Sequence, residues 1–538
     1  MEFNLADLFE HAADAFPDRE YLVAEGRRRT YAEMEARANR LAHHLAGQGV
    51  GPGDHVGIYA LNSAEWVETL WAVFKLRAVW VNINYRYVED ELRYLIGNAD
   101  LKALMLQREF APRAAAVRDA LPELRHVLLV DDGSGADVGA LDAVDYEAAL
   151  AAASPERDFG PRSGDDHYIL YTGGTTGMPK GVVWRHEDVF FALGGGIDPI
   201  SGWRAERPED MVGRAKAGGP LTFLPIAPLM HGASQWAVMG QSFAGNKVVL
   251  VGRFEPHRVW RLVEQQKVNS LMVTGDAMAR PLIEALEDPG TDYDLSSLLN
   301  MTSTAAIFSP SVKDQFLARF PSLIMTDAIG ASESGTNGIV IVERGRTAMK
   351  GGPTVNPVLE TAVLDDNLEP VAPGSGVVGR VARRGHIPVG YYKDPEKTAA
   401  TFLTDADGVR WSIPGDMATV EEDGTVTLLG RGSVSINSGG EKIFPEEVEA
   451  AVKSHPDIYD AVVVGVPDER WGQRVAAVVQ PRPGAVPGLE GVQEHCRTKI
   501  AGYKVPRELH VVEQLQRSPS GKADYPWALA VATGVRSG

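Results

Sequence analysis

Between Val56 and Val130 short apolar runs alternate with amphipathic ones, and this alternation constrains the fold more than any other feature of the chain. Val56 to Ala60, Val79 to Ile83, Ala103 to Leu106 and His126 to Val130 read as buried strands. Helices over Ala64 to Lys75, Glu89 to Asn98 and Arg113 to Ala120 separate them. Strands joined through helices build βαβ units, whose parallel sheet is covered on both faces. An amphipathic helix opens the chain, because Leu5, Leu8, Phe9 and Ala12 recur at helical spacing, and Glu147 to Ala153 reads as an alanine-rich helix.

The texture changes farther on. Residues 196 to 219, interrupted by Pro199, Pro208 and several charges, read as a long irregular insertion. From about Val340, short strands alternate with turn signals such as Asp365-Asp366-Asn367 and Glu422-Asp423-Gly424, which predicts a small β-rich subdomain. After Gly430 a smaller α/β unit begins, with a helix over Pro445 to Ser454 and strands at Ala461 to Val466 and near Val475 to Gln480. At 538 residues the chain exceeds what one core supports, so at least two domains are expected.

Charge and cysteine content exclude several functions. Asp and Glu outnumber Lys and Arg by 72 to 53, and the net charge of −19 repels phosphate backbones and anionic headgroups. Neither nucleic acid nor integral membrane contact is expected. The lone Cys496 excludes an intrachain disulfide and a multi-cysteine metal site. The first residues lack the basic and apolar segments of a signal peptide, and no apolar run approaches the ~18 residues of a membrane span, so a cytoplasmic location is expected.

The densest chemical signal is Tyr171-Thr172-Gly173-Gly174-Thr175-Thr176-Gly177-Met178-Pro179-Lys180-Gly181, directly after the apolar run Tyr168-Ile169-Leu170. Glycines let backbone N–H groups converge, threonines add hydroxyl donors and a lysine adds charge, a combination suited to polyphosphate. A P-loop requires Gly-Lys-Ser/Thr, whereas Pro179 precedes Lys180 here and Gly181 follows it. Taken alone, the segment also reads as a Gly/Thr-rich surface turn.

With its companions the segment resembles the signature of the adenylate-forming superfamily, which includes acyl-CoA synthetases, luciferases and amino-acid adenylation domains. Pro228-Leu229-Met230-His231-Gly232 resembles the acyl-site histidine motif, and Asp327-Ala328-Ile329-Gly330-Ala331-Ser332-Glu333 the adenine and magnesium block. Ile413-Pro414-Gly415-Asp416 resembles the ribose motif, and Gly430-Arg431 through Gly439-Gly440-Glu441-Lys442-Ile443 to Glu449 the hinge block. Arg517-Ser518-Pro519-Ser520-Gly521-Lys522 matches the catalytic-lysine motif. These motifs follow the family's order across nearly the whole chain.

The resemblance implies an α/β protein with a large, multi-subdomain N-terminal domain over residues 1 to 430, a hinge over 431 to 434 and a small mobile C-terminal α/β domain over 435 to 538. The N-terminal domain would combine parallel βαβ sheets with the β-rich subdomain. It implies ATP, Mg²⁺ and coenzyme A as cofactors and a small-molecule carboxylic acid as substrate. Lys522 would bridge the carboxylate and the α-phosphate, supplying positive charge where negative charge develops. Thr172, Gly173, Gly174, Thr175, Thr176, Gly177 and Lys180 would hold the outer phosphates.

Glu333, with Thr175, would ligate Mg²⁺, a hard ion that prefers one or two carboxylates plus phosphate oxygens. Asp416 and Arg431 would bind the ribose, while Ala305, Ala306, Asp327, Ile329, Gly330 and Ser332 would frame adenine. His231, Gly232, Ala233, Trp236, Met239 and Asp276 would form the acyl pocket. Gly439, Gly440 and Lys442 would line a pantetheine tunnel that forms when the small domain rotates about Ser433. Singly, each of these residues also reads as a turn, core or surface residue.

Departures from the family pattern bear on the reaction. Ile329 stands where relatives often stack an aromatic residue on adenine, Ser433 where many have Asp or Lys, and Thr304-Ala305-Ala306-Ile307 lacks the usual proline. Gly232 and Ala233 lie where amino-acid adenylation domains carry an Asp, which argues against an amino-acid substrate. Asp276 suits either a polar substrate group or an ion pair with Arg280 four residues on, the second being favoured.

The runs Gly173 to His186, Thr274 to Pro281 and Ser433 to Lys442 are similar to actinobacterial fatty-acyl-CoA ligases of the steroid side-chain branch. That resemblance implies a bulky polycyclic acid, steroid or diterpenoid, with a fatty acid second. Two alternatives stay open: adenylation only, with transfer to a separate thiolating enzyme or carrier protein, and a non-catalytic nucleotide-binding relative. A homodimer is a further partner compatible with the sequence. No Gly-x-Ser-x-Gly elbow, His-Glu-x-x-His pair or early Gly-x-Gly-x-x-Gly fingerprint is present, which argues against a serine hydrolase, a zinc peptidase and a dinucleotide oxidoreductase.

Overall fold

A computed structural model describes residues 2–534 except 140, 173–177, 307, 346, 348–351, 439–440, 469–470 and 519–520, and the side chains of Ser433 and Lys442. The predicted βαβ series forms an eight-stranded sheet. Val79–Asn82, His55–Tyr59, Leu101–Gln107, His126–Val130 and Ala143–Asp145 run parallel in that spatial order. His167–Thr172 joins Val79–Asn82 in parallel and then pairs antiparallel with Lys180–Arg185. The apolar runs are uninterrupted because both faces of this sheet are covered.

A second, fifteen-stranded sheet links the two textures seen in the sequence. Its first half is parallel through Lys247–Leu250, Thr222–Pro225, Ser270–Val273, Asn300–Thr304 and Ile324–Ala331. It then turns antiparallel at Gly335–Val342 and continues through Thr354–Pro357 into Val426–Arg431 and Asp416–Val420. The β-rich subdomain is therefore hydrogen-bonded to the parallel sheet. Its strand pair Asp416–Val420 and Val426–Arg431 carries the ribose motif.

The helix Ala64–Lys75 is buried along its whole length, although it contains Glu65, Glu68 and Lys75. Ser63 caps it, accepting from the Trp66 N–H at 3.2 Å. Its charges are compensated: Glu68 accepts from Arg37, and Lys75 donates to Glu35 at 2.7 Å and also to Glu10. Trp71 stacks on Phe9 with ring centroids 4.5 Å apart, joining the opening helix Leu5–Ala15 to this core.

The C-terminal unit has its own sheet, in which the long hairpin Ile458–Asp468 and Gly472–Pro481 is flanked by Ile436–Ser438 and, in parallel, by Glu508–Val511. Val448, Val463, Val475, Ala477, Val479 and Cys496 fill one face of it. Both hairpin strands run beyond their predicted ends, because polar residues such as Asp460 and Arg474 are drawn into pairing by the ladder itself. No described helix is long and apolar enough to cross a membrane.

The insertion departs from expectation. It contains a helix, Asp210–Gly218, whose buried residues are only Met211 and Ala215, too few to produce a helical apolar pattern. Asp198 organises the preceding turn by accepting from the backbone of Ile200 and Ser201 and pairing with Arg214. Arg204 stacks over Phe191 at 4.1 Å and donates to His386 Nε2 at 2.9 Å.

Candidate active site

Strands of the second sheet, together with one C-terminal loop, bring a group of charged side chains into one neighbourhood. Asp416 and Arg431 are cross-strand partners, and Arg431 Nε donates to Asp416 Oδ1 at 3.1 Å. The nearby carboxylates hold the Arg431 guanidinium firmly charged, with its pKa above the usual value chiefly because of Asp416. Glu333 is buried just past the strand Ile324–Ala331. Its Oε1 accepts from the Tyr391 hydroxyl at 2.8 Å, and its backbone carbonyl accepts from Ser412. One carboxylate held by a phenol, beside a place where phosphate oxygens can approach, suits a Mg²⁺ ion that takes few protein ligands.

Lys522 enters this group from the C-terminal unit. Its side chain is solvent-accessible, yet confinement by the surrounding protein and the like charge of Arg431 push its pKa below the ordinary lysine value. Glu333 and Asp416 act in the opposite direction, favouring the ammonium. The loop that carries Lys522 is held by Arg517, whose Nε and Nη2 donate to the two oxygens of Asp460 at 2.6 and 2.7 Å. Arg517 Nη1 also donates to the Gly521 carbonyl at 3.0 Å, and the Ser518 N–H to the Lys522 carbonyl at 2.9 Å.

Gly521 is required at the point of docking. Its φ of +75° lies in the left-handed region, and an added Cβ would lie 2.9 Å from Ala277 Cβ. Across the same junction, Arg86 Nη1 donates to the Arg517 carbonyl at 3.2 Å. Below lies a cleft of ≈ 1180 Å³ lined by Tyr85, Arg86, Arg113, Arg253 and Arg517, among others. Glu109, Asp276 and Asp460 also line it and pair with Arg253, Arg280 and Arg517, so the surplus positive charge open to a polyanion rests on Arg86 and Arg113.

His231 caps the helix Gly232–Phe243. Burial, reinforced by the charges of Lys522 and Arg86, lowers its imidazole pKa to about 3, and its Nε2 is enclosed without a hydrogen-bond partner. The ring is neutral at ordinary pH. A Cβ on Gly232 would lie 2.6 Å from Leu170 and 2.7 Å from Trp236, so the space left by this glycine is filled by the indole. Trp236 in turn meets Trp184 edge-on at 6.3 Å, Ala233 is half-buried, and Met239 is fully buried in the main core.

Other expected residues have structural partners. Asp327 accepts from Lys313 Nζ at 2.7 Å, and burial raises its carboxyl pKa despite that lysine. Asp276 accepts from the Ser309 N–H at 2.8 Å and from Arg280 at 3.4 Å, as favoured over substrate binding. Ile329 is buried, and Gly330 faces the Gly335 carbonyl so closely that a side chain would collide with it. The Ser332 carbonyl accepts from Trp184 Nε1 at 3.0 Å. Ala305 adopts φ +67°, the left-handed region that favours glycine, in an exposed loop with Ala306.

Thr172 is the register partner of Lys180, whose ammonium pairs with Asp394. The expectations for Gly173, Gly174, Thr175, Thr176, Gly177, Gly439 and Gly440 fall outside the described residues. Ser433 lies in the one-turn helix Gly432–Val434 and Lys442 in the strand Glu441–Ile443, with their side chains undescribed. Among the described residues no group of three or more His, Cys, Asp and Glu forms a metal cluster.

Asn82 is a site residue that no sequence motif marks. Its amide donates to the Tyr171 and Met230 carbonyls, both at 2.8 Å, and accepts from the Tyr171 N–H at 2.7 Å. It therefore ties the start of the Gly/Thr loop to the residue before His231. A lone polar residue ending the apolar run Val79-Trp80-Val81 is its only signal.

The chain matches two family models: AMP-binding enzyme over residues 9–392 and AMP-binding enzyme C-terminal domain over residues 447–522. It is 54% identical over 534 residues to a 3-oxocholest-4-en-26-oate–CoA ligase of Rhodococcus rhodochrous, covering 98% of this chain and 96% of that one. It is 53% identical over 531 residues to a medium/long-chain-fatty-acid–CoA/3-oxocholest-4-en-26-oate–CoA ligase of Mycolicibacterium smegmatis, with the same 98% and 96% coverage. Its fold is similar to the anthranilate CoA ligase AuaEII in complex with anthranoyl-AMP, with a TM-score of 0.83, 23% identity and 99% and 97% of the two chains covered. ATP-bound MatB from Rhodopseudomonas palustris has a TM-score of 0.81 at 24% identity, covering 98% of this chain and 99% of its own.

Proposed function

The chain belongs to the AMP-binding enzyme family, and from that premise we propose that it is an AMP-forming acid–CoA ligase acting on a bulky hydrophobic carboxylic acid. A polycyclic steroid or diterpenoid acid leads, on the names of the relatives above, and a medium- or long-chain fatty acid is second. The observation that carries the reading is the approach of Lys522, from the C-terminal unit, to Glu333, Asp416 and Arg431.

In the first half-reaction a carboxylate oxygen of the acid attacks the α-phosphorus of ATP, and the bond to pyrophosphate breaks. Two anions must meet, so the Lys522 ammonium lies between them and stabilises the charge that builds on the α-phosphoryl oxygens. Asp416 accepts hydrogen bonds from the ribose hydroxyls, and Arg431 fixes its carboxylate. Glu333, with Thr175 as the second expected ligand, would hold a Mg²⁺ ion, which would supply positive charge to the polyphosphate. Neutral His231 adds no charge to compete for the acid.

In the second half-reaction the CoA thiol gives its proton to solvent, its sulfur bonds to the acyl carbonyl carbon, and the bond from that carbon to the phosphate oxygen breaks, releasing AMP. The arginine-lined cleft suits the CoA phosphates. Lys522 occupies the route expected for the thiol arm, so the C-terminal domain, residues 435–538, rotates about 431–434 between the two steps.

ATP, Mg²⁺ and CoA with a panel of steroid, diterpenoid and fatty acids, following pyrophosphate and thioester separately, test this reading. Thioester from a steroid side-chain acid is expected. Pyrophosphate without thioester would restrict the enzyme to adenylation and imply a separate thiolating partner. No pyrophosphate with any acid would overturn acid activation.

A further inference from the structure

The helix Pro445–Lys453 packs against the strand Val426–Arg431 where the two domains join. At this contact the Glu446 carboxyl lies directly over Gly430, so closely that a side chain at 430 would overlap Oε2. Gly430 has φ +121°, a conformation that itself favours glycine. The carboxyl lies beside the Arg431 backbone, while Oε2 is enclosed and has no hydrogen-bond partner among the described residues. A buried carboxylate oxygen without a partner is costly, whereas a protonated one is tolerated.

The surroundings favour the neutral form. Glu449 and Lys453 follow on the same helix, Asp416 and Arg431 face it from the strand pair, and Tyr525 approaches from the last helix. Glu449 is itself buried, bonded to the Val463 N–H, and acted on by the charges of Lys453 and Arg517. Arg431 is engaged by Asp416. Among the described residues Glu446 has two neighbouring carboxyls, Glu449 and Asp416, and no ion-pair partner.

We propose that Glu446 is a proton-linked latch, a positioning residue whose neutral carboxyl holds the C-terminal domain in the adenylate-forming position and ionises when that domain leaves. The proposal rests on the rotation of the C-terminal domain inferred above. On departure the Glu446 O–H bond breaks, its proton passes to the buffer and the carboxylate is hydrated. Burial and the charge of Glu449 push the carboxyl up to about 8 in the docked position, against an ordinary value of 4.5. The latch is therefore strongest below about pH 4.5, weakens steadily above it and is lost once pH exceeds about 8.

The test loads the enzyme with a non-hydrolysable acyl-adenylate analogue and titrates it with CoA lacking its thiol. Calorimetry in two buffers of different ionisation heat counts protons, so the thiol's own titration does not intrude. Fluorophores at Val486→Cys and Ile324→Cys, both exposed positions on different domains, report the rotation. Wild type is expected to release about 0.9 proton more than Glu446→Gln at pH 7 and about 0.1 more at pH 9, with the same distance change in both. Equal proton release with a distance change overturns the latch alone. An unchanged distance overturns the rotation and the latch with it.

Discussion

Two regions supply the charges of the site, and they are built differently. In the N-terminal domain each polar group is pinned by a neighbour on the same sheet or on an element beside it: Glu333 by Tyr391, Asp416 by Arg431, Asp327 by Lys313. In the C-terminal loop the fixed element is Arg517, gripped by Asp460, while the Lys522 ammonium projects beyond that anchor into the site. On the proposed function, the first arrangement pre-organises the nucleotide site at no cost during the reaction, and the delivery and withdrawal of Lys522 belong to that same reading. The second keeps a rigid base under a side chain that must be delivered and withdrawn.

Removing the delivered charge gives the largest expected effect. Lys522→Ala should slow adenylation by about 10²–10³-fold while nucleotide affinity changes little, as read from pyrophosphate exchange and nucleotide titration. Equal loss in both would make Lys522 part of the fixed wall and erase the distinction between the regions.

The two anchors come next. Arg517→Met should destabilise the C-terminal domain by about 1–3 kcal/mol, because it removes the two-pronged partner of Asp460, which keeps only Lys453 at 3.2 Å and the Ala461 N–H. Lys313→Met should cost the N-terminal domain a similar amount. Denaturant midpoints of each domain measure both. Adding Asp327→Leu to Lys313→Met should recover most of the lost stability, whereas adding Asp460→Leu to Arg517→Met should recover little, since it also takes away the carboxylate facing the buried Lys453 ammonium at 3.2 Å.

Asp416→Ala should raise the dissociation constant for ATP by about tenfold, with a smaller effect on the rate once ATP is saturating. A purely kinetic defect would place Asp416 with Lys522 instead.

The last effect concerns pH. His186 is fully buried, and burial lowers its pKa to about 3, so it is neutral when folded but binds a proton near 6.5 when unfolded. The unfolded state therefore gains protons as pH falls, and stability declines below pH 6.5, by about 2 kcal/mol at pH 5 from this group. His186→Gln should flatten that decline in chemical denaturation of the N-terminal domain. The C-terminal domain should show a shallower slope over the same range.

Legibility followed the range over which each signal acts. The βαβ series was readable because strand and helix periods are local, and predicted ranges such as Ala64 to Lys75, Glu89 to Asn98 and His126 to Val130 coincide with the observed elements. The helix Asp210–Gly218 was unreadable because only two of its residues are buried, Met211 and Ala215. The Asp276–Arg280 pair was anticipated from helical spacing, whereas the Lys313 partner of Asp327 arrives from a helix that precedes the strand and packs across it. The contact of Trp236 with Gly232, four residues apart on one helix, is local, whereas the contact of that glycine with Leu170 depends on how the helix lies against the strand.

The sequence by itself determined which chemical groups the protein has and the order in which they occur: a Gly/Thr loop, a histidine turn, two acidic motifs, and a lysine near the C-terminus. It also determined the α/β class, because backbone periodicity is encoded within a few residues. Only the tertiary structure decided which of those groups meet, since Lys522 and Glu333 are far apart in the chain and their approach depends on two domains docking. The same docking decided that Glu446, an ordinary surface-type residue of a short helix, lies over Gly430 with one oxygen shut away from water. Burial and electrostatic neighbourhood are properties of packed surfaces, and no local pattern of residues specifies them.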